Sequence, residues 1–230
     1  MGNLCIITAR GGSKRIPRKN IKAFLGKPII AYSIEAALDS RLFDEVMVST
    51  DDTEIAEIAK EHGASVPFIR SKKNSDDFSG TFDVIDEVLR EYIKRGRKYD
   101  YLCCLYPTAP FVSEKLLKNG FKLMKAHDYN TVFPVCSFSA PIQRAIKWDG
   151  RKVSLFQPEY RNKRSQDLEP AYHDAGQFYW LNISRMMDEP QLFTSNSGVL
   201  ILDETEVQDI DYPIDWELAE LKYKMINDIS

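Results

Sequence analysis

The chain has 230 residues, of which 43% are hydrophobic and 28% are charged, with a net charge of −3. This size and composition predict a globular core, and the slightly acidic balance argues against nucleic acid as the main partner. The four cysteines lie in apolar runs without a C-x-x-C pair, which argues against zinc and favours a reducing compartment. An arginine follows the first apolar run too soon for a signal peptide, and no run reaches the roughly 18 apolar residues of a membrane span. We therefore expect a cytoplasmic protein that binds neither nucleic acid nor membrane.

Strand-like and helix-like patterns alternate along the first 137 residues. Short apolar runs predict strands at 3–9, 45–50, 65–70, 99–106 and 130–137. Amphipathic stretches with start and stop signals predict helices at 27–40, 51–64, 80–96 and 113–128. This alternation predicts an α/β fold in which helices cover both faces of a mainly parallel sheet. In such sheets ligands bind beyond the carboxyl ends of the strands, where the loops after these strands gather.

The alternation stops after Ser137. A polar tract with a hairpin-like W-D-G-R occupies 138–171, which is too long for an ordinary loop and predicts a functional arm or a lid. Beyond it, 175–183 returns to a strand, 198–213 predicts two short strands, and 214–228 predicts a closing helix. We therefore divide the chain into a core, 1–137 with 172–230, and an insert, 138–171.

The densest positive charge lies in A-R-G-G-S-K-R-I-P-R-K-N, residues 9–20, directly after the first strand. Six of the 31 lysines and arginines fall between residues 10 and 22. The two glycines leave room for backbone amides to face an anion, and arginine can grip phosphate oxygens through two bonds. The stretch therefore predicts a polyphosphate site that is not a Walker A loop, with a solvated basic turn as the alternative.

This stretch resembles the nucleotide-binding signature of the sugar-acid cytidylyltransferases, the CMP-sialic acid synthetase family. Three further segments are similar to motifs of that family and follow in the same order: F-D-E-V-M-V-S-T-D-D-T-E-I-A-E-I-A-K-E-H-G-A (43–64), L-Y-P-T-A-P-F (105–111) and V-Q-D-I-D-Y-P-I-D-W-E-L-A-E (207–220). The resemblance covers about residues 3 to 220. It implies a nucleotide-diphospho-sugar transferase fold, which is Rossmann-like with three α/β/α layers. It also implies transfer of CMP from CTP to a sugar acid with release of pyrophosphate, dependence on Mg²⁺ with Mn²⁺ as a substitute, and a homodimer joined through the arm.

The resemblance also assigns roles to individual residues. Those implied for the nucleotide are Arg10, Gly11, Gly12, Ser13, Lys14, Lys19, Asn20, Arg70, Ser79 and Thr81. Arg10, Lys19 and Asp211 are implied in catalysis, with Asp211 as the group that takes the proton of the sugar hydroxyl. Taken without the family, Arg70 is a surface arginine and Thr81 is a helix N-cap.

Asp209 and Asp211 are the candidate metal ligands. Their spacing puts both carboxylates on one face of an extended segment, and hard oxygen ligands suit Mg²⁺. The alternative from the residues alone is turn chemistry, with Asp215 as the cap of the last helix. The position in the family pattern favours the metal role for the first two residues and the cap for Asp215.

Departures from the sialic-acid pattern point to the sugar. Tyr106 stands where that pattern has glutamine, and the segments 141–146 and 164–180 also differ. These replacements resemble the branch of the family that acts on pseudaminic acid, a nine-carbon acidic sugar. The residues proposed to bind the sugar are Tyr106, Arg164, Gln166, His173, Gln177 and Tyr179.

Strand alternation places Gln177 and Tyr179 on the side opposite Phe178 and Trp180, so we expect the second pair in the core. For His173, a structural role is the alternative. Other sugar acids (N-acetylneuraminic acid, legionaminic acid or Kdo) and a non-catalytic scaffold role remain alternatives for the whole chain.

Overall fold

The computed structural model describes residues 2–76 and 79–229. The strands are β1 (Asn3–Thr8), β2 (Ala23–Phe24), β3 (Lys27–Pro28), β4 (Glu45–Ser49), β5 (Tyr101–Leu105), β6 (Thr131–Ser137), β7 (Ile146–Trp148), β8 (Val153–Leu155), β9 (Tyr172–Asp174), β10 (Phe178–Asn182) and β11 (Ser197–Leu202). The helices are α1 (Ile29–Ser40), α2 (Thr53–Glu61), α3 (Thr81–Lys94), α4 (Glu114–His127), α5 (Ile183–Met186) and α6 (Pro213–Ile226).

The main sheet has the strand order β11-β6-β10-β5-β1-β4, with β9 paired to the outer part of β6. Strands β1, β4, β5, β6 and β11 run in one direction, and β9 and β10 run against them. Because the strands are connected mainly through helices, their carboxyl ends form one edge of the sheet. The predicted α/β class with a mainly parallel sheet is confirmed.

Two hydrophobic layers hold the helices against this sheet. Cys5 and Ile7 of β1 face the layer formed with α1, α2 and α4, whereas Leu4 and Ile6 face the layer formed with α3 and α5. This split follows from the period of two along a strand. Trp180 is fully buried against α4, where its indole N–H donates to the Leu117 carbonyl at 3.2 Å. Phe178 is also fully buried, as expected for this pair.

Two predicted strands are wrong. Residues 65–70 make only a single bridge, between Ser65 and Met47, because Pro67 has no amide to extend the pairing. In 198–213 only the first strand, β11, forms. Beyond it a tight turn at Glu204–Glu206 ends the pairing, and its backbone closes from the Glu206 amide to the Asp203 carbonyl at 2.9 Å. The short elements β9 and α5 were not predicted.

The insert 138–171 contains the predicted hairpin, formed by β7 and β8 around W-D-G-R. Gly150 at its turn has φ +93, a conformation that side chains disfavour. Several large apolar side chains of this arm are exposed, with Trp148 exposed by 74% and Val153 by 66%. The division of the chain at 138–171 stays a prediction.

Candidate functional site

A cavity of about 440 Å³ opens at the carboxyl ends of β1 and β5. The loop 9–20 forms one wall, and the start of α3 with the turn after β5 forms the other. Nine of the residues predicted to bind substrates line it, namely Arg10, Ser13, Lys14, Lys19, Asn20, Arg70, Ser79, Thr81 and Tyr106. Parallel-sheet topology therefore gathers residues that are up to 96 positions apart, as the alternation predicts.

The basic loop is folded against the core and is not a solvated turn. Ile16 and Asn20 are buried, and the Asn20 amide donates to the Arg10 carbonyl at 2.8 Å. Lys19 donates to the Ile210 carbonyl at 2.5 Å, and Arg10 donates to the Asp76 carbonyl at 2.8 Å. These bonds hold cationic side chains at the cavity wall, so the alternative of a solvated turn is wrong.

The two glycines of the loop differ. The Gly11 amide donates to the Asp51 carboxylate at 2.9 Å, and a Cβ at this position would stand 2.7 Å from the Asp52 carboxylate. Gly11 therefore lets the loop approach the start of α2, and its amide is turned to Asp51 and not to an anion in the cavity. This corrects the expectation that both glycine amides face the ligand. A Cβ at Gly12 would meet nothing within 4 Å, so only Gly12 has the open space that was expected.

Arg70 is 6% exposed, which excludes the surface arginine that was its alternative. Its guanidinium donates to the Ser49 hydroxyl at 3.0 Å and to the Ser49 carbonyl, at the carboxyl end of β4. Burial lowers the pKa of Arg70, and the nearby carboxylates of Asp51 and Glu87 oppose this effect. A buried arginine that still reaches the cavity wall presents a fixed donor to a ligand.

Thr81 is the first residue of α3, and Gly80 is the N-cap, so the alternative of an N-cap threonine is wrong. The Thr81 hydroxyl lies 3.1 Å from the Tyr106 hydroxyl. Ser79 is held by Asp76, to which its hydroxyl donates at 2.7 Å. The start of α3 thus presents hydroxyl groups, and the partial positive charge of a helix N-terminus, to the cavity.

Behind Tyr106 lies a second tyrosine that does not line the cavity. The rings of Tyr106 and Tyr179 pack edge to face with 5.6 Å between centroids, and the Tyr179 hydroxyl donates to the Asp174 carboxylate. Burial raises the pKa of both phenols. Tyr106 is therefore a neutral phenol held from behind, and Tyr179 supports it.

The remaining predicted sugar-binding residues lie outside this cavity. Arg164 and Gln166 are exposed on the arm, where Arg164 pairs with Asp167 at 2.7 and 3.0 Å. His173 bonds the Asp174 carbonyl at 2.9 Å, and buried Gln177 donates to the Glu206 carbonyl at 2.7 Å. The described part of one chain thus brings only Tyr106 of the six to the cavity.

The acidic segment 209–215 lies at the edge of the basic loop. Both terminal nitrogens of Arg15 donate to Asp211, each at 2.7 Å, and Lys19 stands 3.6 Å from the same carboxylate. Burial, then the neighbouring Asp211, raises the pKa of the Asp209 carboxyl. Asp215 accepts from the amides of Asp211 and Tyr212 at 2.9 and 2.7 Å, so it caps α6 from the third position of the helix, while Tyr212 is the N-cap residue.

These carboxylates are compatible with a cation that also binds phosphate oxygens. No group of three or more histidine, cysteine or acidic side chains is arranged as a metal site within residues 2–76 and 79–229. Asp209 and Asp211 therefore offer two hard oxygen donors, and a triphosphate and water would have to complete the shell. Burial and then repulsion by Asp211 raise the pKa of Asp209, and a bound cation would oppose both effects.

Two contacts were not predicted from the sequence. Asp174 holds Tyr179, and Arg15 reaches Asp211 while it also lines the cavity. Arg15 was visible as one cation of the basic loop, but its partner is 196 residues away and no spacing rule links them.

The four cysteines are buried and free, and burial raises the pKa of the Cys104 thiol to about 12.

A family model described as Cytidylyltransferase matches residues 4–205. Pseudaminic acid cytidylyltransferase of Campylobacter jejuni subsp. jejuni serotype O:2 is 44% identical over 98% of this chain and 97% of its own length. CMP-N,N'-diacetyllegionaminic acid synthase of Legionella pneumophila is 33% identical over 94% of each chain. The solved structure of CMP:2-keto-3-deoxy-manno-octonic acid synthetase complexed with CTP superposes with a TM-score of 0.71. It covers 99% of this chain and 100% of its own at 18% identity, and it supports the fold alone.

Among the described residues, no helix is long and apolar enough to cross a membrane.

Proposed function

The chain belongs to the cytidylyltransferase family, and from this we propose that it transfers CMP from CTP to the anomeric hydroxyl of pseudaminic acid. The hydroxyl oxygen bonds to the α-phosphorus, the bond from that phosphorus to the pyrophosphate oxygen breaks, and the hydroxyl proton passes to a base. The observation that carries the proposal is the cavity lined by Arg10, Lys14 and Lys19 at the family's own motif. The Campylobacter jejuni protein that is 44% identical to this chain, over 98% of this chain, is named for this activity.

The protein's part in this reaction is positioning and charge neutralisation. Arg10, Lys14 and Lys19 would hold the triphosphate, with the Gly12 amide and the Ser13 hydroxyl beside them, because the Ser13 amide donates to the Gly11 carbonyl at 3.1 Å. Arg70, Ser79 and Thr81 lie on the other side of the cavity and would face cytosine and ribose. Developing negative charge on the leaving pyrophosphate is stabilised by cations already fixed in place, which is the main catalytic device in phosphoryl-type transfers.

Asp209 and Asp211 would hold Mg²⁺, or Mn²⁺ in its place, against the phosphates. The bound ion supplies charge neutralisation on the nucleotide and polarises the α-phosphate. Asp211 is the proposed acceptor of the hydroxyl proton. Both of its oxygens are engaged by Arg15, so this role requires that Arg15 first moves away.

The sugar half of the site would be completed in a homodimer. Ile146, Trp148, Val153 and Phe156 on the arm are exposed by 58% to 74%, which is unusual for side chains of this size. Exchange of arms between two copies would bury them and would carry Arg164 and Gln166 toward a neighbour's Tyr106. The four free thiols favour operation in the reducing cytoplasm.

The test is release of pyrophosphate from CTP and Mg²⁺, with pseudaminic acid and N-acetylneuraminic acid offered in parallel. We expect release with pseudaminic acid. Release with N-acetylneuraminic acid alone would keep the reaction and contradict the sugar assignment to Tyr106. Release only with N,N'-diacetyllegionaminic acid, the sugar of the Legionella relative, would do the same. Absence of release with every sugar acid, in folded protein, would overturn the proposed function.

A further inference from the structure

We propose that Arg15 couples the binding of metal and nucleotide: it holds the Asp211 carboxylate until a triphosphate or a metal ion displaces it. This inference rests on the proposed function, because it assumes a metal at Asp209 and Asp211 and a polyphosphate in the cavity. Arg15 is a positioning residue in this scheme, since it would act through the carboxylate that it releases.

The geometry places Arg15 between two sites. Its guanidinium donates to both Asp211 oxygens, each at 2.7 Å, so a cation at this carboxylate would compete with Arg15 for its charge. The same side chain lines the cavity beside Lys14 and Lys19, where the triphosphate would lie. Arg15 can therefore exchange a carboxylate partner for a phosphate partner by rotation of its own side chain.

Arg15 is also better able to move than Lys19. Its side chain is 54% exposed, and besides Asp211 it contacts the ring of Tyr212, with 5.5 Å between the guanidinium carbon and the ring centre. Lys19 is only 20% exposed and is fixed by the Ile210 carbonyl at 2.5 Å. A surface ion pair is weak enough to be exchanged, because water competes for both partners.

Electrostatics gives the exchange a direction. In the state described here Arg15 supplies the positive charge that Asp211 needs. A divalent cation at Asp211 would place two cationic groups on one carboxylate, so it would favour the departure of Arg15. A triphosphate beside Lys14 and Lys19 would attract the departing guanidinium. Metal and nucleotide therefore bind with positive coupling, and the coupling is reciprocal, as linkage requires.

The experiment measures Mn²⁺ binding from the electron paramagnetic resonance signal of the free ion, with and without CTP and in the absence of sugar. The variants are Arg15→Ala and Arg18→Ala. Arg18 is the matched control because it lies in the same loop and bonds carboxylates, but those belong to Asp52 and Glu54 at the start of α2. Circular dichroism and the melting temperature show that each variant is folded.

In Arg15→Ala we expect Mn²⁺ alone to bind about tenfold more tightly than in the wild type, and the enhancement by CTP to shrink by a similar factor. Arg18→Ala should keep the wild-type values. In an Asp211→Asn background the Arg15 substitution should have no effect on Mn²⁺ alone, because the shared partner is gone.

Unchanged affinity for Mn²⁺ alone in folded Arg15→Ala would overturn the inference, even if the wild type releases pyrophosphate. Equal tightening in Arg18→Ala would also overturn it, because general loss of positive charge would then be the cause. If CTP has no effect on Mn²⁺ binding in the wild type and no sugar acid gives pyrophosphate, both proposals fail together. Pyrophosphate release by the wild type separates these cases.

Discussion

The cavity at the basic loop and the arm 138–171 are built in opposite ways. Around the cavity, charged side chains are fixed by partners far away in sequence, such as Lys19 on the Ile210 carbonyl and Arg70 on Ser49. On the arm, charged groups bond near neighbours, as Arg164 does with Asp167, and large apolar groups such as Trp148 face outward. Bonds between distant parts of the chain fix the side chains around the cavity, whereas bonds within the arm do not fix the position of the arm relative to the core.

The contrast separates two halves of the proposed reaction. Most of the residues proposed to bind the nucleotide line one cavity of a single chain, because they come from loops that one parallel sheet brings to one edge. Of the residues predicted to bind the sugar, only Tyr106 lines the cavity, and the others lie on the arm or behind the cavity wall. Substitutions around the cavity should therefore affect the binding and reaction of CTP, and substitutions on the arm should affect the binding of the sugar.

The largest expected effect comes from the double substitution Asp209→Asn and Asp211→Asn. It removes both negative charges that would hold the metal while it preserves size, and we expect loss of about 1,000-fold or more in kcat, since metal neutralisation contributes several kcal/mol. The melting temperature should not fall, because the repulsion between the two neighbouring carboxylates, which helps to raise the pKa of Asp209, is removed. Pyrophosphate release and calorimetry measure the two quantities.

Asp215→Asn is the matched control for that experiment. Asp215 lies on the same segment but accepts the amides of Asp211 and Tyr212 as the cap of α6. It should lose about 1 kcal/mol of stability and keep most of its activity, the opposite pattern to the double variant. Retained turnover in the Asp209 and Asp211 double variant would contradict the metal assignment and leave the nucleotide half without its anionic side.

The second effect concerns the arm. Trp148→Glu places a charge on its most exposed aromatic side chain, and in an exchanged dimer it would weaken association by about 2 kcal/mol, or roughly 30-fold. Light scattering should show smaller particles, and KM for the sugar should rise more than KM for CTP. Ile93→Glu is the control, because Ile93 is 57% exposed on α3 and outside the arm. Equal masses for wild type and Trp148→Glu would contradict the role of the arm in assembly.

How far sequence reasoning reached differs between the same two regions. Alternating patterns predict the order of strands and helices, and topology then brings Arg10, Arg70 and Thr81 to one cavity. The bond from Arg15 to Asp211 spans 196 residues and depends on a loop conformation that no local pattern encodes. The strand predicted at 65–70 fails for a local reason, the proline at position 67. That proline was visible in the sequence, but the prediction gave more weight to the apolar residues around it. Of the residues predicted to bind the sugar, Arg164 and Gln166 lie on an arm whose side-chain bonds, such as that of Gln143 to Glu169, stay within the arm. His173, Gln177 and Tyr179 lie on or beside β9 and β10, outside the cavity.

A smaller effect is expected at Tyr106, where the two halves meet. Tyr106→Phe removes the hydroxyl that lies 3.1 Å from Thr81 while the ring keeps its contact with Tyr179. Loss of one hydrogen bond should lower kcat/KM for the sugar by about fivefold, or roughly 1 kcal/mol, with KM for CTP nearly unchanged. Tyr99→Phe is the control, because its hydroxyl bonds Glu45 away from the cavity. A rise in KM for CTP alone would instead assign Tyr106 to the nucleotide half.

The smallest expected effect concerns the ion pair between Arg18 of the basic loop and Asp52 at the start of α2. Hydrogen bonds from Arg18 lower the pKa of the Asp52 carboxyl from 3.8 to about 2. A carboxyl whose pKa is lower in the folded state stabilises the fold above its unfolded pKa, and this contribution is lost as the pH falls from about 4 to about 2. Asp52→Asn keeps a side chain that can cap α2 but removes the charge, so it should lower the melting temperature by a few degrees near pH 7 and by nothing near pH 2. No loss at either pH value would show that Asp52 acts only as a cap, because asparagine keeps that role. The loop that carries the phosphate-binding cations would then depend on Gly11 and Asp51 for its attachment to α2, and not on the Arg18 pair.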